Sequence, residues 1–107
     1  MSKEYIKAQT PLPAYFPYPK FLLQMSLSHT ARLTYVLLLD RMTLSQKNGW
    51  VDAQDRAYVL YPLAGLAADL QSSISSVTRA LRELEAARLI ERQSNGFSKP
   101  NQIFLGI

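Results

Sequence analysis

The sequence predicts a small domain of the α+β class, and three features of the chain lead to this class. A long stretch of helically spaced apolar residues comes first, and two shorter ones follow it close together. The chain then ends in two strand-like segments separated by a loop. Its 107 residues, of which 48% are hydrophobic, are enough for one domain with a buried core. We therefore expect one domain over residues 27–107, preceded by an arm.

Residues 1–26 are predicted to form this extended N-terminal arm. Four prolines within nine positions forbid a regular helix there, namely Pro11, Pro13, Pro17 and Pro19. Four aromatic residues lie between or just after them, namely Tyr15, Phe16, Tyr18 and Phe21. We expect these side chains to pack on the body of the domain as a strap. A contact with a second copy of the chain, or with nucleic acid, is the alternative.

The first helix is predicted to begin at Ser28, whose hydroxyl can cap the early amides, with Leu27 as a hydrophobic staple. Apolar residues follow at helical spacing, namely Ala31, Tyr35, Leu38, Leu39 and Met42. The pattern fades at residues 47–49, where Asn-Gly favours the end of a helix. Residues 50–52 and 57–61, rich in aromatic and β-branched side chains, flank a turn. They are predicted to form an additional β-hairpin.

Two short amphipathic helices are predicted next, joined by a tight turn. The first begins near Pro62, and its apolar face consists of Leu63, Leu66, Ala67 and Leu70. Turn-forming residues 71–73 interrupt the pattern, and Ser73 then caps a helix that runs to Arg88. The core positions of this helix are Val77, Leu81 and Leu84. This order is the helix-turn-helix pattern.

A wing is predicted to follow the helix-turn-helix. Residues 89–92 read as a strand, residues 93–101 as a loop that contains Gly96 and Pro100, and residues 102–105 as a returning strand. Arg92 lies at the base of this wing, where a structural role is expected. The complete order is that of a winged helix-turn-helix domain with an additional hairpin and an N-terminal arm.

The outward face of the helix that begins at Ser73 suits insertion into the major groove of double-stranded DNA. With the apolar positions inward, Ser75, Arg79, Arg82 and Ala86 point outward. Small polar residues permit a close approach, and arginine can pair with guanine or phosphate. The candidate DNA-binding residues are Ser73, Ser75, Ser76, Thr78, Arg79, Arg82 and, in the wing, Lys99 and Asn101. The alternative is that the two arginines are solvated charges beside Glu83 and Glu85.

Composition excludes several other classes of protein. The chain has no cysteine and a single histidine, His29, so neither a thiolate site nor a two-histidine metal site can form. It has no glycine-rich phosphate loop and no catalytic Ser-His-Asp set. We expect no enzymatic activity, no cofactor and no bound metal. No signal peptide or membrane span is apparent, so we expect a cytoplasmic protein; its net charge of +4 favours a polyanionic partner.

Residues 27–62 resemble the RepA amino-terminal family of plasmid replication initiators. The resemblance is most specific in Leu-Leu-Asp-Arg-Met at residues 38–42, Leu-Ser at 44–45, Lys-Asn at 47–48 and Trp50. It extends upstream to Pro-Lys-Phe-Leu at 19–22 and downstream through residues 81–105. Three positions depart from the family pattern, namely Pro62 in place of a capping threonine, Ala64-Gly65 in place of acids, and Asp55 in place of a turn glycine.

The resemblance implies an initiator of low-GC Gram-positive bacteria that binds repeats in its own replication origin, often as a homodimer. It also implies a longer protein, whose separate C-terminal domain recruits host replication proteins. A transcriptional regulator with the same fold, or a winged-helix interaction module without a DNA role, are the competing interpretations.

Overall fold

A computed structural model describes residues 5–93 and 102–107. Its elements are a 3-10 helix (Lys20–Gln24), α1 (His29–Lys47), β1 (Val59–Leu60), α2 (Leu63–Asp69), α3 (Ile74–Ala86), β2 (Ile90–Gln93) and β3 (Gln102–Leu105). The strands form one antiparallel sheet in the order β1-β3-β2. Arg92 faces Ile103 across β2 and β3, and Val59 faces Ile103 from β1. The structure thus confirms the predicted α+β class, three helices with a small sheet.

The predicted cap begins α1. Ser28 has extended backbone angles, and its hydroxyl accepts a hydrogen bond from the Ala31 amide at 3.1 Å. The helix ends at Lys47, and Gly49 follows with a φ of +68°, a conformation that favours glycine. Tyr35, in the middle of α1, is fully buried and donates its hydroxyl to the Gly106 carbonyl at 2.6 Å. That bond ties α1 to the end of the segment that follows β3.

The hydrophobic core lies between the three helices and the inner face of the sheet. It contains the predicted core residues of the last helix and residues from every other element, among them Leu22, Tyr35, Leu38, Val59, Leu66, Leu84 and Ile103. Leu63, which was predicted to lie on the apolar face of α2, is instead 37% exposed. Leu63 is the first residue of the helix. Although it lies one turn before Leu66 and Ala67, its side chain is not enclosed by the core.

The predicted additional hairpin is reduced to a turn closed by one antiparallel bridge, Val51 with Ala57. The Asp52 carboxylate holds this turn by accepting hydrogen bonds from the amides of Gln54 and Arg56, both at 2.9 Å. Residues 50–52 therefore form no strand, contrary to the prediction. The second half of the segment continues into β1, which pairs with β3 of the wing rather than with residues 50–52.

The N-terminal arm differs from the prediction in two ways. It is extended only as far as Pro19, because residues 20–24 form the 3-10 helix and Leu22 is fully buried in the core. Phe21 packs edge-on against Tyr35, with ring centroids 5.8 Å apart. The other three aromatics are more exposed than in a strap packed on the body, at 80% for Tyr15, 55% for Phe16 and 42% for Tyr18. Phe16 nevertheless lines a hollow beside α1.

Candidate nucleic-acid interface

The helix-turn-helix is built by a short turn between α2 and α3. The turn residue Gln71 has a φ of +51°, which reverses the chain sharply after α2. Ser73 then caps α3 as predicted, accepting a hydrogen bond from the Ser76 amide at 3.1 Å. The helix covers Ile74–Ala86, two residues less than the predicted end at Arg88. Arg88 lies beyond the helix with a φ of +60°.

One side of α3 is buried and the opposite side is open to solvent. Val77, Ala80, Leu81 and Leu84 are each 3% exposed or less. Ser75, Arg79, Arg82 and Ala86 are exposed on the opposite face, as the helical periodicity predicts. The structure therefore leaves an arginine-bearing ridge uncovered by the described strands.

The smaller polar residues at the start of α3 are largely occupied within the helix. Thr78 donates its hydroxyl to the Ile74 carbonyl at 2.8 Å. Ser73 donates its hydroxyl to that of Ser76 at 3.0 Å, and both residues also take part in the cap. Of the predicted contacts from this region, Ser75 is exposed and has no hydrogen-bonding partner among the described residues. Ser75 is therefore the hydroxyl best placed to meet an incoming ligand.

Two glutamates lie on the flanks of the arginine ridge, and each is held by a neighbouring element. Glu83 accepts hydrogen bonds from the Ser28 amide at 2.9 Å and from the Ser28 hydroxyl at 2.6 Å, at the start of α1. Glu85 forms an ion pair with Arg92 of β2 at 2.6 Å. The expected structural role of Arg92 is thereby confirmed. The helix is fixed to α1 on one flank and to the wing on the other.

The electrostatic environment of Glu83 follows from these bonds. Its pKa lies below the ordinary value, chiefly because the Ser28 hydroxyl donates to the carboxylate, with a further contribution from the Ser28 amide. The positive charge of Arg79 adds a smaller effect in the same direction. Glu83 is thus held as a carboxylate whose hydrogen-bonding capacity is directed at α1.

Arg79 and Arg82 remain without ion-pair partners in the part of the chain that the structure describes. Arg79 lines a hollow of about 210 Å³ with Ser28, Thr30, Ser76 and Glu83, where α3 passes the start of α1. The alternative, in which both arginines are solvated charges beside Glu83 and Glu85, differs from DNA contact only in what binds the exposed side chains. Glu83 and Glu85 bind other groups, so both guanidinium groups are available to an external anion.

The predicted wing contacts, Lys99 and Asn101, lie outside the described residues, as do Gly96 and Pro100. The described parts of β2 and β3 place the base of the wing beside α3, through the ion pair of Arg92 with Glu85. His29, at the first position of α1, is exposed, as expected. Within the described residues, no helix is both long and apolar enough to cross a membrane.

The link between Ser28 and Glu83 was not predicted, although the sequence contains a hint of it. A capping box needs an acid three residues after the cap, and that position holds Ala31. The cap is left incomplete locally and is completed from α3, 55 residues away. An unmatched helix cap was the only signal, and it does not identify the partner.

Comparison with solved structures supports the fold. A structure described as the N-terminal domain of a DNA binding protein matches with a TM-score of 0.76 at 24% identity, over 99% of this chain and 85% of that one. A structure of a Rep-DNA complex matches with a TM-score of 0.74 at 28% identity, over 88% and 75% of the two chains. A structure of an MDR initiator matches with a TM-score of 0.72 at 28% identity, over 88% and 77%.

Sequence comparison places the chain more narrowly. A curated relative, the 41 kDa protein of Lactobacillus helveticus, is 28% identical over 104 residues, which cover 94% of this chain and 30% of the relative. The chain thus spans about a third of the length of that relative. The family model described as replication initiator protein A (RepA) N-terminus matches residues 14–106. The match covers most of the chain, including the segment that resembles this family, the helix-turn-helix and the wing, and the protein therefore belongs to the RepA N-terminal family of replication initiators.

Proposed function

We propose that this chain is the sequence-specific, double-stranded DNA-binding domain of a plasmid replication initiator, and that it recognises repeats in a replication origin. The observation that carries the proposal is the ridge of α3, where Arg79 and Arg82 are exposed and unpaired among the described residues. Of the acids beside them, Glu85 is paired with Arg92, and Glu83 accepts hydrogen bonds from Ser28. Family membership and the similar Rep-DNA complex agree with this function.

The chemistry of the ridge fits the major groove. An α-helix fits into that groove, and the short side chain of Ser75 at the start of α3 permits a close approach. A guanidinium can bind the O6 and N7 atoms of guanine with two parallel hydrogen bonds, which discriminate against other bases by about 1–3 kcal/mol. A contact to phosphate instead weakens or strengthens binding to all sequences alike.

Arginine-to-alanine variants test the proposal. Arg79→Ala and Arg82→Ala should each weaken binding to a duplex that carries an origin repeat by roughly tenfold to a hundredfold if the side chain reads a base. Lys47→Ala is the matched control, because it also removes one exposed positive charge but lies at the far end of α1. Affinities are measured by fluorescence anisotropy at one fixed salt concentration. Unchanged affinity in both arginine variants would remove α3 from the interface.

A second experiment, which compares DNA targets, separates the initiator from its rival. A transcriptional regulator with this fold would use the same residues, so contacts alone do not distinguish the two. Binding to repeats within or beside the gene of the protein supports an initiator, whereas binding to a promoter supports a regulator. A winged-helix interaction module would leave even low-salt duplex unbound.

The remaining parts of the proposal concern the whole protein. We infer a non-enzymatic, cytoplasmic protein that needs no cofactor and recruits host replication proteins through a further domain. We also infer a homodimer whose contact includes the N-terminal arm, because Tyr15 is 80% exposed and Phe16 is 55% exposed. Light scattering on the full chain and on a chain that begins at Pro19 tests the dimer. If both chains have the mass of a dimer, the arm is excluded from the contact.

A further inference from the structure

The bond between Ser28 and Glu83 joins the start of α1 to the DNA-facing helix at a position beside the arginine ridge. Both donors of Ser28 are used, the amide on one carboxylate oxygen at 2.9 Å and the hydroxyl on the other at 2.6 Å. The same hydroxyl accepts a hydrogen bond from the Ala31 amide, so one serine both caps α1 and holds α3 against the start of α1. Hydrogen bonds to a carboxylate are shorter and stronger than bonds between neutral groups.

The buried side chains of α3 are apolar, namely Val77, Ala80, Leu81 and Leu84, whereas Thr30 and Ser76 line the hollow beside α1. Hydrophobic burial has no preferred direction. Apolar packing alone therefore tolerates small rotations and shifts of α3 along α1. Two hydrogen bonds to one carboxylate do not tolerate such shifts, because their geometry fixes both the position and the rotation of the helix.

Glu83 also places a negative charge next to a predicted contact residue. It lies one turn after Arg79 on α3, about 40° around the helix axis, and both line the same hollow. A carboxylate at this point repels DNA phosphates, whatever the base sequence. An interface selected only for affinity has no use for an acid at this position.

We propose that Glu83 is a positioning and specificity residue, which fixes the angle of α3 through Ser28 and penalises contacts with the DNA backbone alone. This inference rests on the proposed function. Loss of the carboxylate charge then strengthens binding to arbitrary duplex and weakens binding to the preferred site. A role in folding alone would lower both affinities in the same proportion.

The test compares two affinities for each variant. The probes are a duplex enriched from a randomised library by the unaltered chain and the randomised library itself, both at one salt concentration. Glu83→Gln should bind the randomised duplex about twofold to threefold more tightly, since one repulsive charge is removed near the phosphates. Its preference for the enriched duplex over the randomised one should fall about tenfold, the loss expected when a base contact is misaligned.

Two further variants complete the design. Asp40→Asn is the control, because it changes the net charge by the same amount but lies about 18 Å along α1 from Ser28. It should raise both affinities equally and leave the preference unchanged. Ser28→Ala removes the hydroxyl donor but no charge, and should lower the preference without strengthening binding to randomised duplex. Ser28→Thr keeps the hydroxyl and should restore the preference.

The outcomes separate the two proposals. If the unaltered chain enriches no duplex and binds none, both proposals fail together. If the unaltered chain binds selectively but Glu83→Gln keeps the full preference, the specificity role of Glu83 is refuted and the proposed function stands. If the preference is retained and both affinities fall together with the folded fraction, measured by circular dichroism, Glu83 acts on stability only.

Discussion

Leu22 provides a sharp test of where the folded body begins. It lies in the segment that composition alone assigns to an extended arm, yet its side chain is fully buried in the core. Its neighbour Leu23 is the same type of residue and lies in the same 3-10 helix, but it is 66% exposed. Replacing each leucine by alanine removes the same atoms from two opposite environments.

The size of the effect follows from burial. Truncating a fully buried leucine to alanine costs about 2–5 kcal/mol, because transferred surface is lost and a cavity remains. A domain of this size typically has a free energy of unfolding of about 5–15 kcal/mol. Leu22→Ala should therefore lower the melting temperature by roughly 10–30 °C. Leu23→Ala, an exposed substitution, should change the stability by about 0.5 kcal/mol or less.

Thermal and urea unfolding followed by circular dichroism measure this difference. A chain that begins at Pro19 should be as stable as the full chain, since residues 5–18 are exposed. A chain that begins at Leu27 should be destabilised at least as much as Leu22→Ala, because it also loses the contact of Phe21 with Tyr35. Equal stability of the Leu22 and Leu23 variants would refute the attachment of residues 20–24 to the core.

Three further predictions concern single residues. Asp55→Gly should raise the free energy of unfolding by up to about 1 kcal/mol, because Asp55 has a φ of +62°, which glycine adopts more easily. Urea unfolding of Asp55→Gly and Asp55→Ala measures this, and an equal rise in the alanine variant would contradict the reasoning. Gly65→Ala should raise the free energy of unfolding by about 0.5–1 kcal/mol, because alanine favours the helix more than glycine does and its methyl group would lie 3.5 Å from the Tyr61 ring, in ordinary contact. A loss of stability in urea unfolding would show that α2 does not tolerate the methyl group. The pKa of Glu83 is lowered mainly by the Ser28 hydroxyl, so its stabilising effect should be complete above the ordinary carboxyl pKa and vanish as the pH falls through the lowered pKa. The melting temperatures of the unaltered chain and of Glu83→Gln should therefore converge as the pH falls below the ordinary carboxyl pKa, and a gap that stays constant with pH would refute this reasoning.

The helices and the wing strands could be predicted because each leaves a local signal. Ser28 and Ser73 cap the two longest helices where predicted, and β3 covers the four residues predicted for the returning strand. Exposure of Arg79 and Arg82 followed from the spacing of the buried residues alone. Local periodicity and capping carry this information without reference to the rest of the chain.

What could not be predicted depends on partners distant in sequence. Residues 50–52 have strand-like composition, but pairing depends on which edge is available, and β1 pairs with β3 instead. Leu22 differs from Leu23 only in the direction of its side chain within a 3-10 helix. The bond of Glu83 with Ser28 joins residues 55 positions apart, and no local pattern encodes it.

The residues of α3 that hold the helix in place differ from those of its exposed ridge, and this affects how such a domain changes the DNA sequence that it binds. Everything that holds the helix in place lies on its buried side or on its flanks, at Glu83 and Glu85. The exposed ridge residues form no side-chain hydrogen bond or ion pair among the described residues, and Arg79 acts on the fold only through its charge near Glu83. Residues on that ridge can therefore be replaced with little change in the free energy of unfolding. Related plasmids could diverge in origin sequence by altering a few ridge residues, and a library randomised at Ser75, Arg79 and Arg82 offers a direct route to new preferences.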